Sequence, residues 1–292
     1  MEIAFHIGAH CTDHDRLVKS LLRNRARLAE HGVSVPDPQT YRPLLRDLIT
    51  TLRGETATSE RQDATLEAIL EGEDPARLVL SNDSFISVPG RAIGDGMLYP
   101  RAFKAGWLRR AFADHTVTFH LGIRNPASFV PALVAAQSDD RRPQPDVLHG
   151  TDPRELSWSG FVLRLQEAAP DAGIVVWCHE NAPLLFPTIL RSIAGLPSSA
   201  HLHGDFDMLR HIMSDEGQHR LRAYVKRHPP AQAETRQRIM AAFLDKFALP
   251  GTHQTEIDLP GWSPALVDEL TALYAADIDR LAAMPGVTLL AR

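Results

Sequence analysis

The sequence predicts an α/β fold in which helices flank a parallel β-sheet, and three observations carry that prediction. Short runs rich in β-branched and aromatic residues alternate with longer segments of helical periodicity, the pattern of repeated βαβ units. The runs AFHIG, LVLS, VTFHLGI and IVVW are nearly continuous in apolar residues, as strands are when helices cover both faces of a sheet. The composition, 44% hydrophobic and 23% charged over 292 residues, is that of a globular chain long enough to bury a sizeable core.

Taken in order, strands are expected at 2–8, 77–81, 116–123, 173–178 and 287–290. The first helix is expected at 16–30, where Leu17, Leu21, Leu22 and Leu28 share a face opposite Arg and Lys, and it stops at His31-Gly32. Further helices are expected at 41–52, 57–70, 101–112, 154–168, 182–193, 231–247 and 264–283, so helix should exceed strand. Segments 137–153 and 201–217 are rich in Pro, Gly, Asp and His and read as surface loops or lids, with His201 and His203 solvated. No repeat or linker divides the chain, so 1–292 reads as a single domain with helical elaborations.

A formal net charge of −5 gives no electrostatic reason to expect nucleic acid and favours a small ligand or a protein partner. The two cysteines, Cys11 and Cys178, lie in or beside apolar runs and do not make a disulfide framework. The first residues enter a strand at once, without the charged and apolar regions of a signal peptide. No apolar stretch approaches the roughly 20 residues needed to span a bilayer. The expectation is a cytoplasmic protein that does not engage a membrane.

In an open parallel sheet, ligands bind beyond the carboxyl ends of the strands, where connections diverge. The first such end runs from His6 through Gly8, Ala9, His10, Cys11, Thr12, Asp13, His14 and Asp15 into the first helix. Here the chain resembles the bacterial sulfotransferase-like P-loop proteins, whose opening HIGxHKTGTTxLQ is followed by a helix and a Gly-Val-x-x-Pro exit, matched by Gly32-Val33-Ser34-Val35-Pro36. An LSN-acid turn, the Arg124-Asn125-Pro126 turn, VVWCHEN and the closing DIDRLAAMPGVTLL extend the likeness over most of the chain. The resemblance implies a P-loop nucleotide-hydrolase-like sulfotransferase architecture. It also implies 3′-phosphoadenosine 5′-phosphosulfate as donor, held by Gly8, Ala9, His10, Cys11, Thr12, Asp13, His14, Arg124 and Ser128. A small-molecule or glycan hydroxyl or amine would be the acceptor.

The departures from that pattern fall in the donor loop. Cys11 stands where the family carries Lys, Asp13 where it carries Gly, and His14 and Asp15 where it carries two Thr; Thr12 remains. An anion loop works through N–H groups at a helix amino end and a cation that neutralises developing charge. The substitutions shift the loop by three charge units, each worth roughly 1 kcal/mol in water to about 4 kcal/mol near a protein surface at ~4 Å. Asp13 or Asp15 could also cap the helix and occupy the N–H groups a phosphate would use. For the 3′-phosphate, Arg124 matches the family's Arg, but Ala132 replaces its Ser, which leaves Ser128 as a substitute. Arg124 can equally be a strand-end residue paired with a carboxylate.

Asp83 and His10 are the candidates for catalytic roles; the resemblance implies an acidic general base just after the second long strand, where the end of LVLSNDSF offers Asp83. Asn82 and Asp83 are also ordinary turn residues. His120 reads as a core histidine and Glu180 as an acidic residue that fixes scaffold contacts. His10 and His14 are four apart, yet zinc sites need three or four converging ligands, so no metal is expected. No G-x-S-x-G elbow is present, and Cys178 and His179, adjacent on a strand, point to opposite faces. Three readings follow: a sulfotransferase with an altered donor loop, a catalytically silent ligand- or partner-binding relative, and a metal-dependent enzyme built on His10 and His14.

Overall fold

The computed structural model describes residues 1–138, 145–230, 232–250 and 259–291. The chain begins with β1 (Glu2–His6), α1 (Arg16–Arg23), α2 (Arg25–Ala29), β2 (Val33–Ser34), α3 (Pro38–Leu52), α4 (Ser59–Leu70) and β3 (Arg77–Ser81). A small hairpin of β4 (Ile93–Gly94) and β5 (Met97–Leu98) precedes α5 (Lys104–Ala111), β6 (Thr116–Ile123) and α6 (Pro126–Gln137). The chain continues through α7 (Trp158–Ala168), β7 (Gly173–Cys178), α8 (Ala182–Ala194), α9 (Asp215–Arg227), α10 (Ala233–Phe247), α11 (Pro264–Ala283) and β8 (Val287–Leu290).

Six strands form one parallel sheet in the order β2-β3-β1-β6-β7-β8, with helices on both faces. This is the expected α/β class. The alternation of side chains along each strand sorts the core into two layers. Ile3, Phe5, Leu78, Leu80, Phe119 and Leu121 face α3, α5 and α7, while Ala4, Val79 and Trp177 face α1 and α8. A separate small cluster joins Leu184 of α8 to Leu221 and Met240 of α9 and α10. Because β1 lies between β3 and β6, the chain passes from one side of β1 to the other between those two strands. The end of β1 is therefore the topological switch point.

The structure departs from the sequence expectations at several elements. The single helix expected over 16–30 is broken at Asn24, whose carboxamide donates to the Ser20 carbonyl (2.8 Å) and the His203 carbonyl (2.9 Å) and accepts from the His203 N–H (2.7 Å). These bonds make Asn24 a joint between the two helices and a loop more than 170 residues away. Helix α3 starts earlier than expected because Asp37 caps it ahead of a proline at its first turn. The helices α6 and α9 lay in segments without an expected helix. Each is set by a cap, Asn125 to Ala127 N–H and Ser214 to Gly217 N–H. Residues 139–144 of the loop expected over 137–153 lie outside the described residues. The segment 201–217 is a loop only in its first part, followed by a 3-10 turn and the start of α9. Among the described residues no helix is long and apolar enough to cross a membrane.

Candidate functional site

The carboxyl ends of β1, β3, β6 and β7 bring together four short segments distant in sequence. Past β1 the chain stays on the sheet for three residues: Ile7 N–H donates to the His120 carbonyl (3.0 Å), Gly122 N–H to the Gly8 carbonyl (2.7 Å), and Ala9 N–H to the Gly122 carbonyl (2.8 Å). Gly8 has φ +106°, and a Cβ there would lie 3.3 Å from the Asp83 Cα, so only glycine allows β1 and the end of β3 to approach this closely. Asp83 is thereby placed against the loop.

Residues 9–15 then form a loop that is closed upon itself. The Thr12 hydroxyl donates to the Ala9 carbonyl (2.6 Å), and Cys11, His14 and Asp15 take left-handed backbone angles. The Asp13 carboxylate accepts from the Leu17 N–H (3.1 Å) and the Asp13 carbonyl from the Arg16 N–H (3.0 Å). Asp13 is thus the residue that satisfies the first turn of α1. The Asp15 carbonyl accepts from the Lys19 N–H (3.0 Å), but its side chain caps no helix N–H and pairs with Arg42 at 2.8 Å. The N–H groups of Cys11, Asp13, His14 and Asp15 make no hydrogen bond to another described residue, which leaves them available to water or an anion.

Arg124, at the end of β6, is turned toward this loop. Its Nε donates to the Ser128 hydroxyl (3.0 Å) and its Nη1 to the Cys11 carbonyl (2.8 Å). The alternative of a strand-end ion pair is not what the structure shows, since among the described residues no carboxylate pairs with Arg124. Its backbone is also anchored, the Trp158 indole donating to the Arg124 carbonyl (2.8 Å). Burial holds the guanidinium pKa below its ordinary value, with Cys11 and Glu180 opposing the shift. Burial likewise pushes the Cys11 thiol upward, Arg124 opposing and Asp83 reinforcing, so this cysteine is protonated at neutral pH.

His10 is fully buried and is held by Tyr99, whose hydroxyl accepts from the His10 N–H (3.0 Å) and lies 2.8 Å from Nδ1, the two rings stacking at 5.7 Å. With the hydroxyl oxygen already accepting, its hydrogen is directed at Nδ1. Burial lowers the His10 pKa, with Asp83 opposing. This neutral, enclosed ring anchors the loop and has no open face for an acceptor. His14 is exposed while His10 is buried, and both precede the first residue of α1, so their four-residue spacing is not helical. Among the described residues no three His, Cys, Asp or Glu side chains are gathered as metal ligands.

Tyr99 escaped the sequence reading, and His179, read there as adjacent to Cys178 on a strand, instead begins the 3-10 turn after β7. The half-buried His179 faces the loop near the Thr12 backbone, and its pKa is pushed down to about 4 by burial first and by the Arg124 charge second. Its position at the end of β7 was the available signal. Tyr99 arrives from the far side of the β4–β5 hairpin and carried no signal in sequence. Glu180 does fix the scaffold, accepting from the Asn125 N–H (2.8 Å) and the Tyr274 hydroxyl (3.1 Å).

No protein-family model matches the chain, and no curated protein is similar to it. Among solved structures it is similar to a sulfotransferase from Alicyclobacillus acidocaldarius, with 11% identity and a TM-score of 0.40 over 89% of this chain and 97% of that one.

Proposed function

We propose that this chain is a sulfotransferase-like protein that binds an anionic ligand at the strand ends, of the class of a nucleotide 3′-phosphate, and does not itself transfer a sulfuryl group. The observation that carries the reading is the Arg124 clamp. A half-buried guanidinium with no carboxylate partner among the described residues is fixed by Ser128 at 3.0 Å and by the Cys11 carbonyl at 2.8 Å, beside four backbone N–H groups that bond no described residue. Fixed guanidinium forks and successive backbone N–H groups are the two recurrent ways a protein holds phosphate.

The fit to 3′-phosphoadenosine 5′-phosphosulfate divides in two. Arg124 suits a 3′-phosphate, and Ser128, whose hydroxyl accepts from Arg124 and donates to the Asn125 carbonyl (3.2 Å), orients it. The loop that would hold the 5′-phosphosulfate has no cation of its own, and the Asp13 carboxylate already takes the Leu17 N–H at the helix amino end. Removing a single well-placed stabiliser of developing charge costs about 100- to 1,000-fold in rate. This loop lacks the cation and adds carboxylates, which disfavours the charge that develops on sulfuryl transfer. Asp83 is held against Gly8 at the end of β1.

The test is restoration. A variant combining Cys11→Lys, Asp13→Gly and Asp15→Thr is expected to bind 3′-phosphoadenosine 5′-phosphate at least tenfold more tightly than the wild type in isothermal titration. Circular dichroism confirms that α1 survives the loss of its cap. Unchanged affinity in the folded variant would mean that the strand ends do not receive the nucleotide.

A further inference from the structure

A second place in the molecule is built for an anion, away from the strand ends. It is a cavity of ≈ 610 Å³ between the end of α1, the segment 199–207 and the helices α9 and α10. Arg23, Arg210, Arg222, Lys226 and Arg236 line it, against two carboxylates, Asp205 and Asp207. In a chain whose net charge is −5 this is a local reversal of sign.

The ion pairs around the cavity do not cancel that excess. Asp205 is claimed from outside the lining by Arg191, which is buried and bonds both carboxylate oxygens at 2.8 and 3.0 Å. Arg236 reaches the same carboxylate only at 3.6 Å, and its other contacts, to the Ser198 and Pro230 carbonyls, are 3.4–3.5 Å long. Its side chain is nonetheless only 8% exposed. Burial, and then the charge of Arg191, lower its pKa, the mark of a cation short of compensation. Asp207 is shared between Arg23 and Arg210. Arg222 and Lys226, four residues apart on one face of α9, have no ion pair among the described residues.

The walls are fixed. Asn24 pins His203 by two bonds to the end of α1. Gly204, at φ +92°, lies so close to the Arg23–Asp207 pair that a Cβ would come within 2.7 Å of the Asp207 carboxylate. The volume falls in the range of small-ligand sites, and Leu202, Phe206, Val225, Pro229 and Pro230 supply an apolar lining beside the charges. Arginine forks match the paired oxygens of phosphate bidentately, and several cations together suit its multiple negative charge.

We infer that this cavity is a binding site for a phosphate or pyrophosphate ester with a small organic body, recognised by Arg222, Lys226 and Arg236. The site is independent of the strand-end site and of the function proposed for it.

The probe is inorganic pyrophosphate at low ionic strength, followed by the imidazole proton signals of His201 and His203, which line the cavity. Pyrophosphate is expected to move both signals saturably in the wild type and in Arg124→Gln, which separates this cavity from the strand ends. The double variant Arg222→Ser with Lys226→Ser alters two exposed residues and should weaken that response at least tenfold. Arg236→Gln should do the same if it folds; if it does not, the double variant decides. Stationary His201 and His203 signals, or unchanged affinity in the folded double variant, would overturn the assignment.

Discussion

The hydroxyl of Tyr99 holds both the backbone N–H and the ring of His10 in a site from which water is excluded, so its removal tests whether His10 is an anchor. Tyr99→Phe leaves two buried polar groups without a partner and is expected to cost about 1–3 kcal/mol, read as a lower midpoint in urea unfolding. If stability is unchanged, His10 is not anchored in this way. At the end of β6, Arg124→Gln removes the charge that the Ser128 hydroxyl and the Cys11 carbonyl orient, while the fold should keep its far-ultraviolet spectrum. Affinity for a bisphosphate nucleotide should fall about 10- to 100-fold, in line with the ~1.5–3 kcal/mol of a hydrogen bond to a charged group. Residues at this scale were legible in sequence where position alone decides. Arg124 and Asp83 follow strands, and their convergence follows from the sheet order. The pairing of Arg124 with Ser128 was legible as a substitution within one helical turn. The partnership of His10 with Tyr99 was not, because a hairpin and a left-handed residue bring Tyr99 back over 89 positions.

Among the elements, the strands were the most legible. Four of the five expected in the main sheet have their observed bounds, because continuous apolar runs ended by polar turns leave little freedom. The two-residue β2 is too short to carry a pattern, and the α1–α2 break depends on Asn24 meeting His203, which no local signal encodes. The start of α7 depends on distance in the same way. Asp277 of α11, only 3% exposed, accepts from the N–H groups of Trp158 (2.6 Å) and Ser159 (3.1 Å) and from the Ser157 hydroxyl (3.0 Å). Asp277→Ala removes these acceptors from a buried helix start. It is expected to cost about 3 kcal/mol, from a lost cap of ~1 kcal/mol and a further N–H left unpaired at ~1–3 kcal/mol. Asp277→Asn, which keeps one carbonyl acceptor, should cost less. Equal unfolding midpoints for wild type and Asp277→Ala would show that α11 does not brace α7.

For the whole molecule, buried histidines set the response to acid. The ring nitrogens of His120 face the backbone of Ser192 and Thr118 without a hydrogen bond of good geometry, and burial, followed by the charges of Arg77 and His6, lowers its pKa to about 3. His179 is lowered to about 4. Both values lie below the ~6.5 of an unfolded histidine, so between the two limits the unfolded chain binds more protons than the native one. Stability contributed by keeping these rings neutral is full above about pH 6.5 and is lost as pH falls toward the folded values. At pH 5 each ring is expected to cost about 2 kcal/mol relative to neutral pH. His120→Leu should remove its share, so that the variant loses less stability than the wild type between pH 7 and pH 5 in urea titrations. An identical loss in both proteins would assign the acid response to other groups.

The central claim, that Arg124, oriented by Ser128, holds a phosphate at the strand ends, is tested most directly by a thermal-shift titration with 3′-phosphoadenosine 5′-phosphate against AMP, which lacks the 3′-phosphate. Binding to the native state raises the unfolding temperature by mass action. A saturable rise for the bisphosphate that exceeds the rise for AMP and disappears in Arg124→Gln is the predicted result. No rise at millimolar ligand, or an equal rise for both nucleotides, would contradict it.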